Sequence, residues 1–330
     1  MFPAMPVLLS EQDVRIVLSM HDLIGAMEAA LIRFSAREVA QPLRTVIEVG
    51  LQKAFFGVMP AFIHEPAALG TKVVSVFPSN TAAGLPTHLA TIVLLDSMTG
   101  ELLSIMDGRF ITEVRTAAVS AVSVKLLAQP EASRLAIIGS GVQARSHLEA
   151  IGLVRDLAEV RVWSPSQDRR AAFAHEMQAR STAAITVAAS AREAVDGADL
   201  VVLATASREP VVSHEWIAPG THVCAVGACR PDQREMDSAL VSRGRLFVDS
   251  RTGALAEAGD IVIPMTHGAF DETHLAGELG EVAAGTVRGR TSREEVTIFK
   301  SLGMAVEDIA AAHLAYLKAA ERGLGRGFVW

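Results

Sequence analysis

Three cations stand in segments that are otherwise apolar. Arg44 opens "RTVIEV", Lys72 sits in "TKVVSVF", and Arg115 sits in "EVRTAAVSAVSV", where the next charged residue is Lys125. An unpaired guanidinium inside a packed helix costs several kcal/mol, so Arg115 has to meet a carboxylate or a phosphate. Glu113 or a remote aspartate would satisfy it structurally. Arg44 and Lys72, each taken alone, read as solvated strand starts. Should the three converge, they would make an anion site with bidentate arginine geometry. Spacing alone leaves both readings open.

A second constellation is the string Gly139-Ser140-Gly141-Val142-Gln143-Ala144, which follows the strand "RLAIIGS" and leads into the helix "RSHLEAIGLV". In a dinucleotide fingerprint the first glycine makes the tight turn and the second admits the pyrophosphate to the backbone. The third, here Ala144, permits close helix packing. The helix N-terminus then faces the phosphates. Its place at the first of a series of strands separates the string from an ordinary tight turn. The next strand, in "VRVWSPSQDRR", ends at Ser164, with Ser166, Arg169 and Arg170 close behind. No carboxylate stands at the strand end to hold a ribose 2'-hydroxyl, so NADP(H) is the preferred cofactor. Asp168 keeps NAD(H) possible, and a solvated helix start is the plain alternative for the arginines.

Both cysteines, Cys224 and Cys229, fall in "VCAVGACRPD". No C-x-x-C pair or His-x-x-x-His partner lies nearby, so no zinc site and no other metal is expected. Cys224 lies inside a strand as a small hydrophobe. Cys229 lies just past the carboxyl end of that strand, where open α/β sheets bind ligands.

The elements that must position these groups fall into two rhythms. From about Arg134 to Asp260 six short apolar strands, "RLAIIGS", "VRVWS", "ITVAAS", "LVVLAT", "THVCAVG" and "RLFVDS", alternate with amphipathic segments. That is the pattern of a doubly wound α/β parallel sheet with helices on both faces. Before it come a helix around His21 to Val39 and the strands "RTVIEV", "KAFFGVM", "TKVVSVF", "LATIVLLD" and "ELLSIMD", largely antiparallel. The small-residue segment "ITEVRTAAVSAVSVKLLA" joins the two parts. The C-terminal "SLGMAVEDIAAAHLAYLKAAE" forms an amphipathic helix expected to fold back onto the first part, leaving "RGLGRGFVW" as a mobile or partner-bound tail.

The sequence has 330 residues, half of them apolar, which is enough for a large core in two domains. A formal charge of −7 without a basic stripe, and a single tyrosine, argue against a nucleic-acid surface. The start "MFPAMPVLLSEQDV" has no basic leader region, and no uncharged apolar run of about 18 residues occurs, so neither export nor a membrane partner is expected. The expectation is a cytoplasmic protein with reduced thiols.

The strings "GTKVVSVFPSN", "GLPTH", "ITEVRTAAVSA", "IIGSGVQA", "AVGACRPDQREMD" and "FKSLGMAVEDIAAA" occur in the order seen in the ornithine cyclodeaminase and mu-crystallin family, which the chain resembles over nearly its whole length. The resemblance implies a Rossmann NAD(P) domain (118–300) and an α+β substrate-binding and dimerisation domain (1–117 with 301–330). It implies a homodimer and a small imino or amino acid substrate carrying a carboxylate, held by Arg44, Lys72 and Arg115. Met59, His88 and Gly303 join these as expected substrate contacts, with Phe77 helping to set pocket volume. Expected cofactor contacts are Gly139, Ser140, Gly141, Val142, Gln143, Ser164, Ser166, Arg169, Thr205, Val226 and Thr116. Cys229 stands where cyclodeaminases carry a catalytic aspartate, and Gly57 where they carry a glutamate. With those carboxylates missing, reduction of cyclic ketimine carboxylates fits better than deaminative cyclisation. Arg44, Lys72, Arg115 and Cys229 are the candidate catalytic residues. Open-chain amino acid dehydrogenation, cyclodeamination and NADPH-dependent small-ligand binding are the competing readings.

Overall fold

Alternating apolar residues build the first strands of the computed structural model, which describes residues 5–50 and 54–329. These are β1 (Val7–Leu9), β2 (Val39–Ala40), β3 (Thr45–Val49), β4 (Ala54–Ile63), β5 (Ala68–Val76), β6 (His88–Leu95) and β7 (Leu102–Asp107). Helix Arg109–Leu127 leads on to β8 (Arg134–Ile138), β9 (Glu159–Trp163), β10 (Ala184–Val187), β11 (Leu200–Leu203), β12 (His222–Ala225), β13 (Arg245–Val248), β14 (Leu275–Glu278) and β15 (Thr297–Lys300). Helix Ala305–Glu321 and β16 (Arg326–Gly327) complete the chain. It divides into one unit of Met1–Arg115 with Met304–Trp330 and another of Thr116–Gly303.

In the first unit the sheet runs β16-β1-β7-β6-β5-β4-β2, with β3 also on β4. Neighbours from β3 to β7 are antiparallel, while β1 lies parallel to β7. Period-two burial follows: Met59, Ala61 and Ile63 of β4, Gly70, Lys72 and Val74 of β5, and Ile92 and Leu94 of β6 are buried. Helix Ala305–Glu321 packs on β4 and β5 over this face and on helix Met20–Ser35. Gly70 allows that approach, since a Cβ there would stand 2.5 Å from the Val93 carbonyl oxygen and 2.9 Å from Ile309 Cδ1. The first long helix stops at Ser35 instead of reaching Val39, because Arg37 takes a φ of 65° and Val39–Ala40 pairs with β4. The tail is also corrected. Arg326 and Gly327 pair antiparallel with β1, and the Phe328 N–H donates to the Pro6 carbonyl, so backbone bonding holds a segment expected to be mobile. Lys53 of "KAFFGVM" and the terminal Trp330 lie outside the described residues.

The second unit carries a parallel sheet in the order β10-β9-β8-β11-β12-β15-β13-β14. Its central strands β11 and β12 are buried throughout, as strands covered on both faces must be. One apolar cluster forms around Ile138, Leu203 and Val223, another around Leu135, Val202 and Phe173. The six expected strands are joined by β14 and β15, whose short sequences "LAGE" and "TIFK" end in a charge and hide the apolar signal. Among the described residues no helix is long and apolar enough to cross a membrane.

Gly70→Ala should destabilise the protein by roughly 1–3 kcal/mol, because the methyl meets backbone and cannot relax. Urea unfolding would show this as a lower midpoint; an unchanged midpoint would refute the packing described at this position.

Candidate active site

Lys72 stands mid-strand in β5, opposite Met59 of β4 and Ile92 of β6, on the face under helix Ala305–Glu321. It is only 2% exposed. Its Nζ lies 2.5 Å from Asp308 Oδ2 and donates to Thr112 Oγ1 at 3.4 Å. Arg115 spans two acids: Nε donates to Asp308 Oδ1 at 2.9 Å and Nη1 to Glu307 Oε2 at 2.6 Å. Glu307 and Asp308 are fully buried in the first turn of helix Ala305–Glu321, where negative charge suits the helix N-terminus. Around them Glu307 Oε2 accepts the Met304 N–H at 3.2 Å, and Gln41 Oε1 accepts the Val306 N–H at 2.7 Å.

Burial pushes the Lys72 ammonium down; Asp308 opposes this, and the Arg115 and Arg44 charges add to it, leaving a pKa of about 8. Burial alone would raise the Asp308 carboxyl, but Arg115 and Lys72 hold it below the ordinary value. Arg44, half-buried just before β3, therefore lies within electrostatic reach of Lys72. His88, at the start of β6, is lowered to about 4 by burial and then by Lys72 and Arg115. At neutral pH it is an uncharged hydrogen-bonding group and no reservoir of protons. Lys72 and Arg115 share Asp308, the remote aspartate that a structural role for Arg115 requires, and Arg44 adds its charge within electrostatic reach of Lys72.

In the second unit Gly139 takes a φ of 122°, and a Cβ there would stand 2.5 Å from the Ala204 carbonyl oxygen. Gly141 opens helix Val142–Gly152, which has no side-chain cap, and a Cβ on it would meet nothing within 4 Å. Ala144 is fully buried against the core. A tight turn, an open backbone and a bare helix N-terminus suit a dinucleotide pyrophosphate. Gln143 has its Oε1 buried without a hydrogen-bond partner. Beyond β9, Ser164 Oγ lies 2.9 Å from Ser140 Oγ, and Ser166 caps helix Gln167–Gln178 by accepting the Arg169 N–H. Arg170 is spent on the Ser164 carbonyl at 2.7 Å, while Arg169 is exposed.

The remaining expected residues divide plainly. Thr205 and Val226 follow β11 and β12, and Thr116 lies on helix Arg109–Leu127. Gly303 belongs to the second unit, where it takes a φ of 80° and donates its N–H to Asp249 Oδ2 at 2.8 Å. Neither cysteine is in a disulfide. Cys224 is buried beside Ser123 Oγ, and burial pushes its thiol up to about 12, so it is chemically inert. Cys229 is half-buried, with its thiol donating to the Val226 carbonyl at 3.4 Å. Among the described residues no group of three or more His, Cys, Asp or Glu could hold a metal ion.

Sequence reasoning passed over Glu307 and Asp308, although two adjacent acids at the head of the alanine-rich "EDIAAA" were the available signal. It also passed over Glu235, Asp260 and Lys300, three fully buried charges of the second unit. Asp308→Ala should cost about 3–5 kcal/mol, because it leaves Lys72 and Arg115 buried with a partner missing. The measurement is chemical denaturation; stability equal to that of the parent would contradict the pairing.

Residues 4–323 match the sequence profile of the ornithine cyclodeaminase/mu-crystallin family. The ketimine reductase mu-crystallin of Mus musculus is 42% identical over 315 residues, covering 94% of this chain and 96% of the mouse protein. Among solved structures, Thermococcus litoralis Delta(1)-pyrroline-2-carboxylate reductase in complex with NADH and L-proline has a TM-score of 0.95 at 43% identity, over 98% of this chain and 100% of that one. An archaeal alanine dehydrogenase dimer with bound NAD has a TM-score of 0.94 at 31% identity, over 98% and 99% of the two chains. By profile, sequence and fold together, the chain belongs to the ornithine cyclodeaminase/mu-crystallin family.

Proposed function

We propose that the protein is an NAD(P)H-dependent reductase of cyclic ketimine carboxylates, converting pyrroline-2-carboxylate and piperideine-2-carboxylate to L-proline and L-pipecolate. The observation that carries this reading is the buried pair of Lys72 and Arg115 on Glu307 and Asp308, with the charge of half-buried Arg44 within reach of Lys72. Relatives that bind NADH with L-proline, or are named ketimine reductase, support it. Arg115 and Arg44 hold the substrate carboxylate and orient the imine carbon; such positioning supplies much of the rate. The bound nicotinamide cofactor supplies the hydride. Lys72, with a pKa of about 8, carries a proton it can release toward the imine nitrogen, and Asp308 fixes that ammonium in place. Met59 and neutral His88 line the same part of the sheet as Lys72.

Cyclodeamination fits less well. At Gly57 a Cβ would already stand 3.1 Å from Val74 Cγ1, so a carboxylate side chain there would have to displace Val74. Cys229 supplies a small polar wall instead of a proton-handling carboxylate. Oxidation of open-chain L-alanine is the second reading, and it rests on the likeness to the archaeal alanine dehydrogenase.

For the cofactor we favour NADP(H), with exposed Arg169, Ser164 and Ser166 receiving the 2'-phosphate; Thr116, Thr205, Val226 and Gly303 are assigned to ligand contacts as the sequence suggested. A homodimer is supported by the dimeric relative. It is supported too by the second face of the first sheet, where Val58, Phe62, Leu69, Val73 and Val93 are only half-buried.

The test is NADPH and NADH oxidation with each imine, with ornithine plus NAD as the ammonia control. Rapid oxidation with an imine is expected, with NADPH preferred; silence with both imines and turnover of L-alanine would replace this reading by the second. Because the Lys72 ammonium is the required form, kcat/KM should be full below pH about 8 and fall above it. In Lys72→Arg that alkaline limb should vanish together with most of the rate. Arg115→Ala should lose about a hundredfold or more in kcat/KM, and parental activity would sink the carboxylate clamp.

A further inference from the structure

The second unit buries a carboxylate where the loops after the neighbouring strands β11 and β12 leave the sheet. Glu235 is fully buried, and both its oxygens are used twice. Oε1 accepts the Thr205 N–H at 2.6 Å and the Thr205 hydroxyl at 2.8 Å. Oε2 accepts the N–H of Gly227 at 2.8 Å and of Ala228 at 3.1 Å. The first pair belongs to the loop after β11 and the second to the loop after β12. These loops touch: a Cβ on Gly227 would stand 2.0 Å from the Thr205 carbonyl oxygen and 2.7 Å from Glu235 Oε1. Glu235 is itself held, since Asp260 Oδ1 accepts the N–H of Glu235 at 2.8 Å and of Met236 at 2.9 Å. Lys300, fully buried at the end of β15, lies with its Nζ 3.1 Å from Asp260 Oδ2.

We infer that Glu235 is a positioning residue for the dinucleotide: it clamps the loops after β11 and β12 into the shape that receives the nicotinamide half, with Asp260 and Lys300 as its foundation. The inference rests on the dinucleotide reading above. In an open parallel sheet the ligand lies at the carboxyl ends of the strands, across the point where strand order reverses. The fingerprint loop follows β8, and the 2'-hydroxyl position lies at the end of β9 on one side. The other half of the ligand therefore falls to the loops of β11 and β12 on the opposite side. Backbone bonds join the same loops farther out, as from the Arg234 N–H to the Ser207 carbonyl and from the Val211 N–H to the Glu235 carbonyl. At Thr205, Gly227 and Ala228, next to the strand ends, the join is four bonds to one carboxylate. Burying that charge is unfavourable, and the N–H donors and the nearby Lys300 charge offset the cost. An amide cannot substitute, because its NH2 group would face N–H donors on one of the two loops.

The test is the Kd for NADPH and NADH, by fluorescence titration of the whole protein without substrate, for the parent, Glu235→Gln and the milder Thr205→Val. Gly70→Ala, destabilised in the other unit, serves as the control for a purely structural loss. Glu235→Gln should weaken cofactor binding by about tenfold or more, Thr205→Val by a few fold, and Gly70→Ala not at all. In turnover, KM for the cofactor should rise while kcat at saturation changes less. If Glu235→Gln does not fold, Asp260→Asn, which loosens the hold on the Glu235 and Met236 N–H groups without touching either cofactor loop, takes its place and should weaken cofactor binding by a few fold. Parental affinity in folded variants, or an equal loss in Gly70→Ala, overturns the positioning role while leaving the dinucleotide reading intact. A parent protein that binds neither cofactor overturns that reading and this role with it.

Discussion

Everything in the first unit is arranged around two cations buried beneath a helix. Lys72 sits mid-strand and Arg115 on a packed helix, both almost without solvent, so water cannot carry the cost of their charges. Glu307 and Asp308 carry it, and they can do so only if helix Ala305–Glu321 begins over β5. The chain therefore returns from the second unit to finish the first, and Gly70 is bare so that Ile309 can settle on the strand. Architecture and electrostatics are one constraint here: the return of the C-terminal helix supplies the two acids that balance Lys72 and Arg115.

On the proposed reading the added charge of half-buried Arg44 gives the site its chemistry. Lys72 and Arg115 with their two acids would only hold the helix in place, whereas a further cation nearby would attract a small anion and orient it. Burial sets the rest. It brings the Lys72 ammonium near neutrality, where a proton can be given up, and keeps His88 uncharged beside it. The second unit solves a related problem with the opposite sign: Glu235 is the buried charge, and backbone N–H groups of two loops are its partners.

Much of this was legible in the sequence, for physical reasons that differ by residue. The parallel sheet announces itself because strands covered on both faces are continuously apolar, as in "LVVL". The fingerprint loop does so because only glycine tolerates what Gly139 does. Arg115 stood out because nine uncharged residues of one helix follow it before Lys125, and a charge buried there must be paired. What could not be read was the identity of the partner: Glu307 and Asp308 lie 192 and 193 positions from Arg115, and such pairing is a property of topology. The tail misled for a similar reason. "RGLGRGFVW" has the glycine content of a flexible end, but an edge strand needs only backbone groups and an open neighbour, which β1 provides. Strands β14 and β15 were missed because four residues ending in a charge carry little periodicity.

The central claim is that the charges of Lys72, Arg115 and Arg44 hold the substrate by its carboxylate. It is tested most directly by comparing kcat/KM for pyrroline-2-carboxylate with that for 1-pyrroline, the same ring without the carboxylate. A site built around a polar group rejects an analogue lacking it, so a ratio of about a thousand or more is expected, collapsing in Arg115→Ala. Comparable turnover of the two imines by the parent protein would contradict the account.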